Sequence, residues 1–154
     1  MVTLSTGLQA PVQALMRPSV WLPCCNRLHQ WSEIWNVSCS SNELVDAILE
    51  AIRSIQREST ETWDVHKVCR ETGFMRLFVF TRLEWLDVIE ISPCGEHSYQ
   101  VVSFSSGFLP LFVPFACVIN LALFWVPFYD MRINERRTDL LRSSINLPIS
   151  LQDS

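Results

Sequence analysis

The clearest pattern of apolar and polar positions lies between residues 41 and 57 and is helical. Apolar residues recur there at three- and four-residue intervals, which places them on one face of a helix; they are Leu44, Val45, Ile48, Leu49, Ile52 and Ile55. Ser40 and Glu43 have the spacing of a capping box, in which a hydroxyl and a carboxylate satisfy free amides at a helix N-terminus. We therefore predict an amphipathic helix packed on a flat partner.

Five further segments are short and rich in β-branched and aromatic residues, which predicts strands. They cover residues 32–38, 63–69, 74–82, 85–91 and 98–104. Turn-like stretches separate most of the neighbouring strands by only a few residues, too few for a parallel crossover. We expect an α+β fold in which one amphipathic helix packs on an antiparallel sheet of four to five strands, in the order β-α-β-β-β-β.

The strand predicted from residue 74 is apolar on both faces. Met75, Leu77 and Val79 form one face, and Phe74, Phe78 and Phe80 form the other together with Arg76 and Arg82. A sheet with two apolar faces needs a cover on each of them. The predicted helix can cover one face, and the C-terminal region or lipid is expected to cover the other.

Residues 108–129 form an apolar stretch, and no Asp, Glu, Lys or Arg occurs anywhere from 98 to 129. Its length is sufficient for a helix to cross a hydrocarbon core of about 30 Å. Pro110, Pro114 and Asn120 oppose a regular membrane helix. We expect a transmembrane segment, with an interfacial or re-entrant segment and a buried hairpin of a soluble core as alternatives.

The remaining regions are assigned by composition. Residues 1–30 carry no acidic side chain and are interpreted as a poorly ordered tail rather than an organellar transit peptide. The α+β domain then covers 31–107, and a closing motif with a polar tail covers 130–154.

The net charge of −4 and the single lysine, Lys67, exclude a nucleic-acid partner, which requires clustered basic residues. The cysteine pattern favours reduced thiols in an intracellular protein.

The sequence predicts no catalytic residue, no metal site and no cofactor. Cys94 and His97 lie close together, but zinc requires three or four ligands and no second pair accompanies them. Asp87 and Glu90 are three positions apart on one predicted strand, so they point to opposite faces and cannot act as an acid–base pair.

Three short motifs together resemble one family. They are Thr81-Arg82-Leu83 leading through Trp85 to Asp87, then Ser103-Phe104-Ser105, then Asp130 with Asn134 and Arg137. Over residues 32–140 the chain resembles the uncharacterised family known as domain of unknown function 1499. That resemblance implies the same order of strands and helix, and it implies no activity.

The chain departs from the family pattern in three places. Ser106 and Arg132 stand where family members usually carry an arginine and a glycine, and the apolar stretch is inserted between the serine motif and the closing motif. The physical interpretation of Asp130, Asn134 and Arg137 is a polar network that fixes the chain where it returns to the sheet.

Two functions are compatible with these observations. The first is a membrane-associated domain without chemistry that serves as an interaction or scaffold module, with a protein partner. The second is the binding of a lipid or other apolar small molecule between helix and sheet. An empty sheet face lined by Phe74, Phe78 and Phe80 favours the second function, and a filled one favours the first.

Overall fold

The computed structural model describes residues 2–16, 30–123 and 132–152. The helices within these ranges are α1 (Leu4–Leu15), α2 (Ser41–Glu58), α3 (Ala116–Ala122) and α4 (Ile133–Ser144). The strands are β1 (Gln30–Val37), β2 (Thr62–Cys69), β3 (Phe74–Phe80), β4 (Leu86–Pro93), β5 (Ser98–Ser105) and β6 (Ile149–Leu151).

The six strands form one antiparallel sheet in the order β2-β3-β4-β5-β1-β6. Short turns connect β2 to β5 in succession, and Gly73 takes a positive φ of 73° in the first of them. The α+β class, the antiparallel sheet and the order from β1 to β5 are confirmed. The sequence missed β6, which lies in the segment interpreted as a polar tail.

Helices α2 and α4 cover the first face of the sheet. The apolar side of α2, which includes Leu44, Ile48, Ile52 and Ile55, is buried as predicted. It packs in one core with Met75, Leu77 and Val79 of β3 and with residues of the neighbouring strands. Ser40 and Glu43 form the predicted capping box. Apolar side chains of this core occupy the space between α2 and the sheet.

Helix α1 and the segment 108–123 cover the second face. Ala10 and Ala14 of α1, with Leu111 and Ala116, pack in one core that includes Phe78 and Phe80 and the facing residues of β4 and β5. Part of this cover is the apolar stretch, which lies C-terminal to the strands, whereas the contribution of α1 was not predicted.

The prediction of a poorly ordered tail over residues 1–30 is wrong for residues 4–15, which form α1. Gly7 and Pro11 lie inside this helix and lower its intrinsic helix propensity. Ala10 and Ala14 pack against the sheet, and that contact stabilises the helix where local propensity does not. Residues 17–29 lie outside the described part of the chain.

The described part of the apolar stretch folds back on the sheet. Turns that include Pro110 and Pro114 lead into α3, which has seven residues, and Leu111, Ala116 and Asn120 are buried. Within the described residues, no helix combines the length and apolar character that crossing a membrane requires. The expectation of a transmembrane helix over 108–129 is thus unsupported, and residues 124–131 lie outside the described ranges.

Candidate functional site

The polar residues buried most deeply on the first sheet face surround Arg137 of α4. The Arg137 side chain is only 4% exposed and contacts two carboxylates. Its Nη1 donates to Oδ2 of Asp87 on β4. Nη2 and Nε donate to the two carboxylate oxygens of Glu61, at 2.5 and 3.1 Å. We call these three residues the arginine cluster.

A second set of hydrogen bonds lies one turn earlier on α4. Oδ1 of Asn134 accepts from the Ser103 hydroxyl at 2.8 Å, and Nδ2 of Asn134 donates to the Ser105 hydroxyl oxygen at 3.0 Å. Asn134 and Arg137 are three residues apart, so they share one face of the helix. Ser103 and Ser105 alternate on β5, and Ser105 pairs in register with Asp87 on β4. Helical and strand periodicity together bring these residues into one layer between α4 and the sheet.

Burial and the neighbouring charges shift the pKa values of Asp87 and Arg137 in opposite directions. Burial raises the pKa of the Asp87 carboxyl above its ordinary value, although Arg137 and the Ser105 hydroxyl oppose that rise. Burial also disfavours the charged form of Arg137, but hydrogen bonds and attraction from Glu61 and Asp87 outweigh it and raise the Arg137 pKa. One cation therefore holds two carboxylates, one of them almost fully desolvated.

The arrangement is closed, which limits its chemistry. The Nε, Nη1 and Nη2 atoms of Arg137 each donate to a carboxylate within the cluster, and Asp87 and Asn134 are buried. A substrate would have to displace one of these partners to reach Arg137 or Asp87. The geometry is that of a structural clamp between α4, β4 and the loop after α2.

The arginine cluster and the hydrogen bonds of Asn134 together contain five of the residues on which the family resemblance rests. They are Asp87, Ser103, Ser105, Asn134 and Arg137. A polar network around Asn134 and Arg137 was predicted, but with partners in the closing motif itself. The partners shown here lie instead on β4, β5 and the loop before β2. Glu61 belongs to none of the motifs, and no sequence signal distinguishes it. Asp130 lies outside the described residues.

The other residues considered from the sequence are not brought together. Cys94 and His97 are exposed in the turn between β4 and β5. Among the residues that the structure describes, no three or more His, Cys, Asp or Glu side chains are grouped as metal ligands. Asp87 and Glu90 point to opposite faces as predicted, and Glu90 pairs with Arg76 at 2.8 Å.

A groove opens on the second sheet face, between α1 and the edge formed by β2 and β3. Its volume is about 330 Å³. Gly7 and Pro11 of α1 line one side, and Phe78 and Phe80 of β3 belong to the opposite wall. The His66 ring stacks on Phe78, with centroids 4.2 Å apart and planes inclined by 13°. We call this feature the edge groove.

The outer surface above this sheet face is apolar. Helix α1 exposes Leu4, Leu8, Val12 and Leu15, which we call the α1 stripe. The neighbouring segment exposes Phe108, Phe112, Phe115, Val118 and Ile119, which we call the 108–119 patch. Gln9 joins the two surfaces, because its side-chain amide donates to the carbonyl oxygens of Leu111 and Val113 at 2.9 and 3.0 Å.

Comparisons with known proteins add no assignment. No family model, no curated protein and no solved structure matches the chain. The resemblance to domain of unknown function 1499 therefore stays a prediction that rests on the motifs alone.

Proposed function

We propose that this chain is a non-catalytic domain that attaches to the surface of an intracellular membrane through the α1 stripe and the 108–119 patch. The observation that carries the proposal is an inverted polarity: two adjacent helices bury small or polar side chains and expose large apolar ones. Hydrophobic burial in water favours the reverse, by about 1.5–3 kcal/mol for each fully buried large aliphatic or aromatic side chain.

Helix α1 has this inversion along its whole length. Leu4 is 82% exposed and Leu8 is 69% exposed, whereas Thr6 and Gln13 are buried. Both buried polar groups have partners, since the Thr6 hydroxyl donates to Glu84 and the Gln13 amide donates to the Ser106 carbonyl oxygen. These hydrogen bonds hold α1 with its apolar side outward.

Helix α3 repeats the inversion beside it. Ala116 and Asn120 are buried, while Val118 is 55% exposed and Phe115, which caps the helix, is 75% exposed. The Asn120 side chain donates to the Leu109 carbonyl oxygen at 3.0 Å and accepts from the Leu109 amide at 2.7 Å. The amide that opposed a membrane position in the sequence therefore points inward and is satisfied.

Charge supports an interfacial position. Neither residues 1–16 nor residues 98–129 contain Asp, Glu, Lys or Arg. A single charge costs about 2.5–3.5 kcal/mol at a bilayer centre, and neither apolar surface carries one. Apolar helices that lie in the interface bind through buried apolar area. Attachment should therefore depend little on salt or on anionic lipid.

The filled core under α2 supports this function over ligand binding at the place expected from the sequence. The space between α2 and the sheet is occupied by apolar side chains of the helix and of the strands. The described cysteines Cys39, Cys69, Cys94 and Cys117 are unpaired, which is compatible with an intracellular location.

Flotation with neutral phosphatidylcholine vesicles tests the proposal. The wild-type protein should float with the vesicles at both low and high salt. Leu8→Glu should float at least tenfold less, because a charge then enters the apolar surface. The matched control is Leu140→Glu, which alters an exposed leucine of α4 on the other side of the sheet. Wild-type protein that stays in the aqueous fraction, or equal loss in the two variants, would refute attachment through these helices.

A further inference from the structure

We propose that the edge groove binds one aliphatic chain of a lipid whose head group is a hydroxyl or an ammonium. The inference rests on the proposed membrane attachment, because the groove opens beside the α1 stripe. A volume of about 330 Å³ lies within the usual range of small-molecule sites. It suits a single chain better than a whole diacyl lipid.

The groove has apolar residues on both its sheet side and its helix side. Phe78 and Phe80 are 1% and 4% exposed, and Ala10 of α1 packs against the same core. Val2 and Pro11 extend the apolar lining along α1. Methylene groups therefore find contact on both the helix side and the sheet side.

Gly7 keeps the groove open. A Cβ atom at this position would meet nothing within 4 Å, so close packing does not require a glycine. Glycine inside a helix is also less favourable than alanine. Neither packing nor helix propensity therefore explains a glycine at this position. The missing side chain leaves space along the groove wall.

The position of Gly7 and Pro11 connects the groove to the surface proposed to face the membrane. Gly7 follows Leu4 by three residues, and Pro11 follows Leu8 by three, so each pair consists of neighbours on the helix surface. On the other side of the same two residues lie the buried Ala10 and Ala14. A lipid chain leaving the apolar surface would reach the groove without crossing a charged residue of α1.

The polar groups that line the groove determine the head group. They come from β2 and include the Thr62 hydroxyl, the Asp64 carboxylate and the His66 imidazole. No Lys or Arg is among the described residues that line it. Asp64 repels a carboxylate or a phosphate, whereas a hydroxyl or an ammonium can donate a hydrogen bond to it.

Native mass spectrometry with 1-monooleoylglycerol as the probe tests the site. The wild-type protein should form a one-to-one complex, and oleate, which has the same chain and an anionic head, should bind at least tenfold more weakly. Gly7→Leu fills the groove and should weaken monooleoylglycerol binding at least tenfold. Gly7→Ala is the matched control; it adds only one methyl group and should retain most of the binding.

A second experiment identifies the source of the bound lipid. The protein is incubated with phosphatidylcholine vesicles that contain monooleoylglycerol, separated from them and analysed for bound lipid. Retained monooleoylglycerol indicates extraction from the bilayer, and a complex formed only with free lipid indicates capture from solution; either result supports the site. No one-to-one complex in either experiment, or undiminished binding by Gly7→Leu, would overturn it.

Flotation distinguishes this failure from failure of the proposed function. Gly7→Leu leaves the α1 stripe intact and should float as the wild-type protein does. Flotation without a lipid complex would refute the groove alone, and a complex without flotation would refute membrane attachment and leave only capture from solution.

Discussion

Replacing Arg137 by methionine removes the cation from the arginine cluster and retains much of the side-chain volume. Asp87 then keeps the Ser105 hydroxyl as a partner but loses its ion pair while remaining 8% exposed. Glu61 is 28% exposed, so its carboxylate can turn toward water. The free-energy change should therefore come chiefly from the isolated Asp87 carboxylate.

The magnitude follows from that isolated charge. Removing one partner of a buried ion pair typically costs about 3–5 kcal/mol, because the remaining charge is desolvated without compensation. A domain of this size loses about 2–4 °C in melting temperature for each kcal/mol, so the midpoint should fall by roughly 6–20 °C. Asp87→Asn in the Arg137→Met background should recover a large part of the loss.

The pH dependence of the same variant provides a second measurement. Arg137 opposes the rise that burial causes in the Asp87 pKa, so its removal should raise that pKa further. A folded protein with a raised carboxyl pKa takes up a proton more readily than the unfolded chain does, so its stability increases as the pH falls. The difference between variant and wild type should therefore be smaller at pH 5 than at pH 8.

Urea unfolding followed by tryptophan fluorescence measures the free energy of unfolding at both pH values. Arg136→Met is the matched control, since Arg136 is the exposed neighbour on the same helix; its effect should stay within about 0.5 kcal/mol. Equal stability of Arg137→Met and Arg136→Met, or a difference from wild type that does not change with pH, would refute the role given to the buried pair.

Three further outcomes are expected. Ile52→Ala should lower the free energy of unfolding by about 2–5 kcal/mol because Ile52 lies on the buried side of α2, while Arg53→Ala on the exposed side changes little; equal effects in urea unfolding would contradict this packing. Gly73→Ala should destabilise the fold, because Gly73 has a φ of 73° and an added Cβ would lie 2.8 Å from Cε1 of Tyr99; an unchanged thermal midpoint counts against it. Burial raises the Glu84 pKa, but hydrogen bonds from Thr3 and Thr6 outweigh it and lower that pKa below its ordinary 4.5. The anchoring of α1 should therefore be intact above that pH and weaken as the pH falls below it. Protection factors of the α1 amides, which correct for the intrinsic pH dependence of exchange, should fall on acidification; unchanged protection argues against this anchor.

The sequence by itself determined the elements whose signals are local. Apolar spacing and the capping box of Ser40 and Glu43 predicted α2, and the structure extends it by a single residue at its C-terminal end. Short turns between β-rich segments predicted the antiparallel run from β2 to β5. These features could be predicted because neighbours within a few positions decide them.

Only the tertiary structure decided how the second sheet face is covered. Helix α1 contains a glycine and a proline and exposes its leucines, so neither its propensity nor its polarity indicated a helix against a sheet. The apolar stretch had the composition of a membrane segment. Part of it packs instead on Phe78 and Phe80, because that face would otherwise stay uncovered.

The contacts of the arginine cluster likewise could not be predicted from the sequence. Arg137 is separated by 76 positions from Glu61 and by 50 from Asp87. Strand register sets Asp87 beside Ser105, and the packing of α4 places Arg137 above both. An ion pair of this kind depends on where whole elements meet, and that is determined by the burial of the two sheet faces rather than by any local pattern.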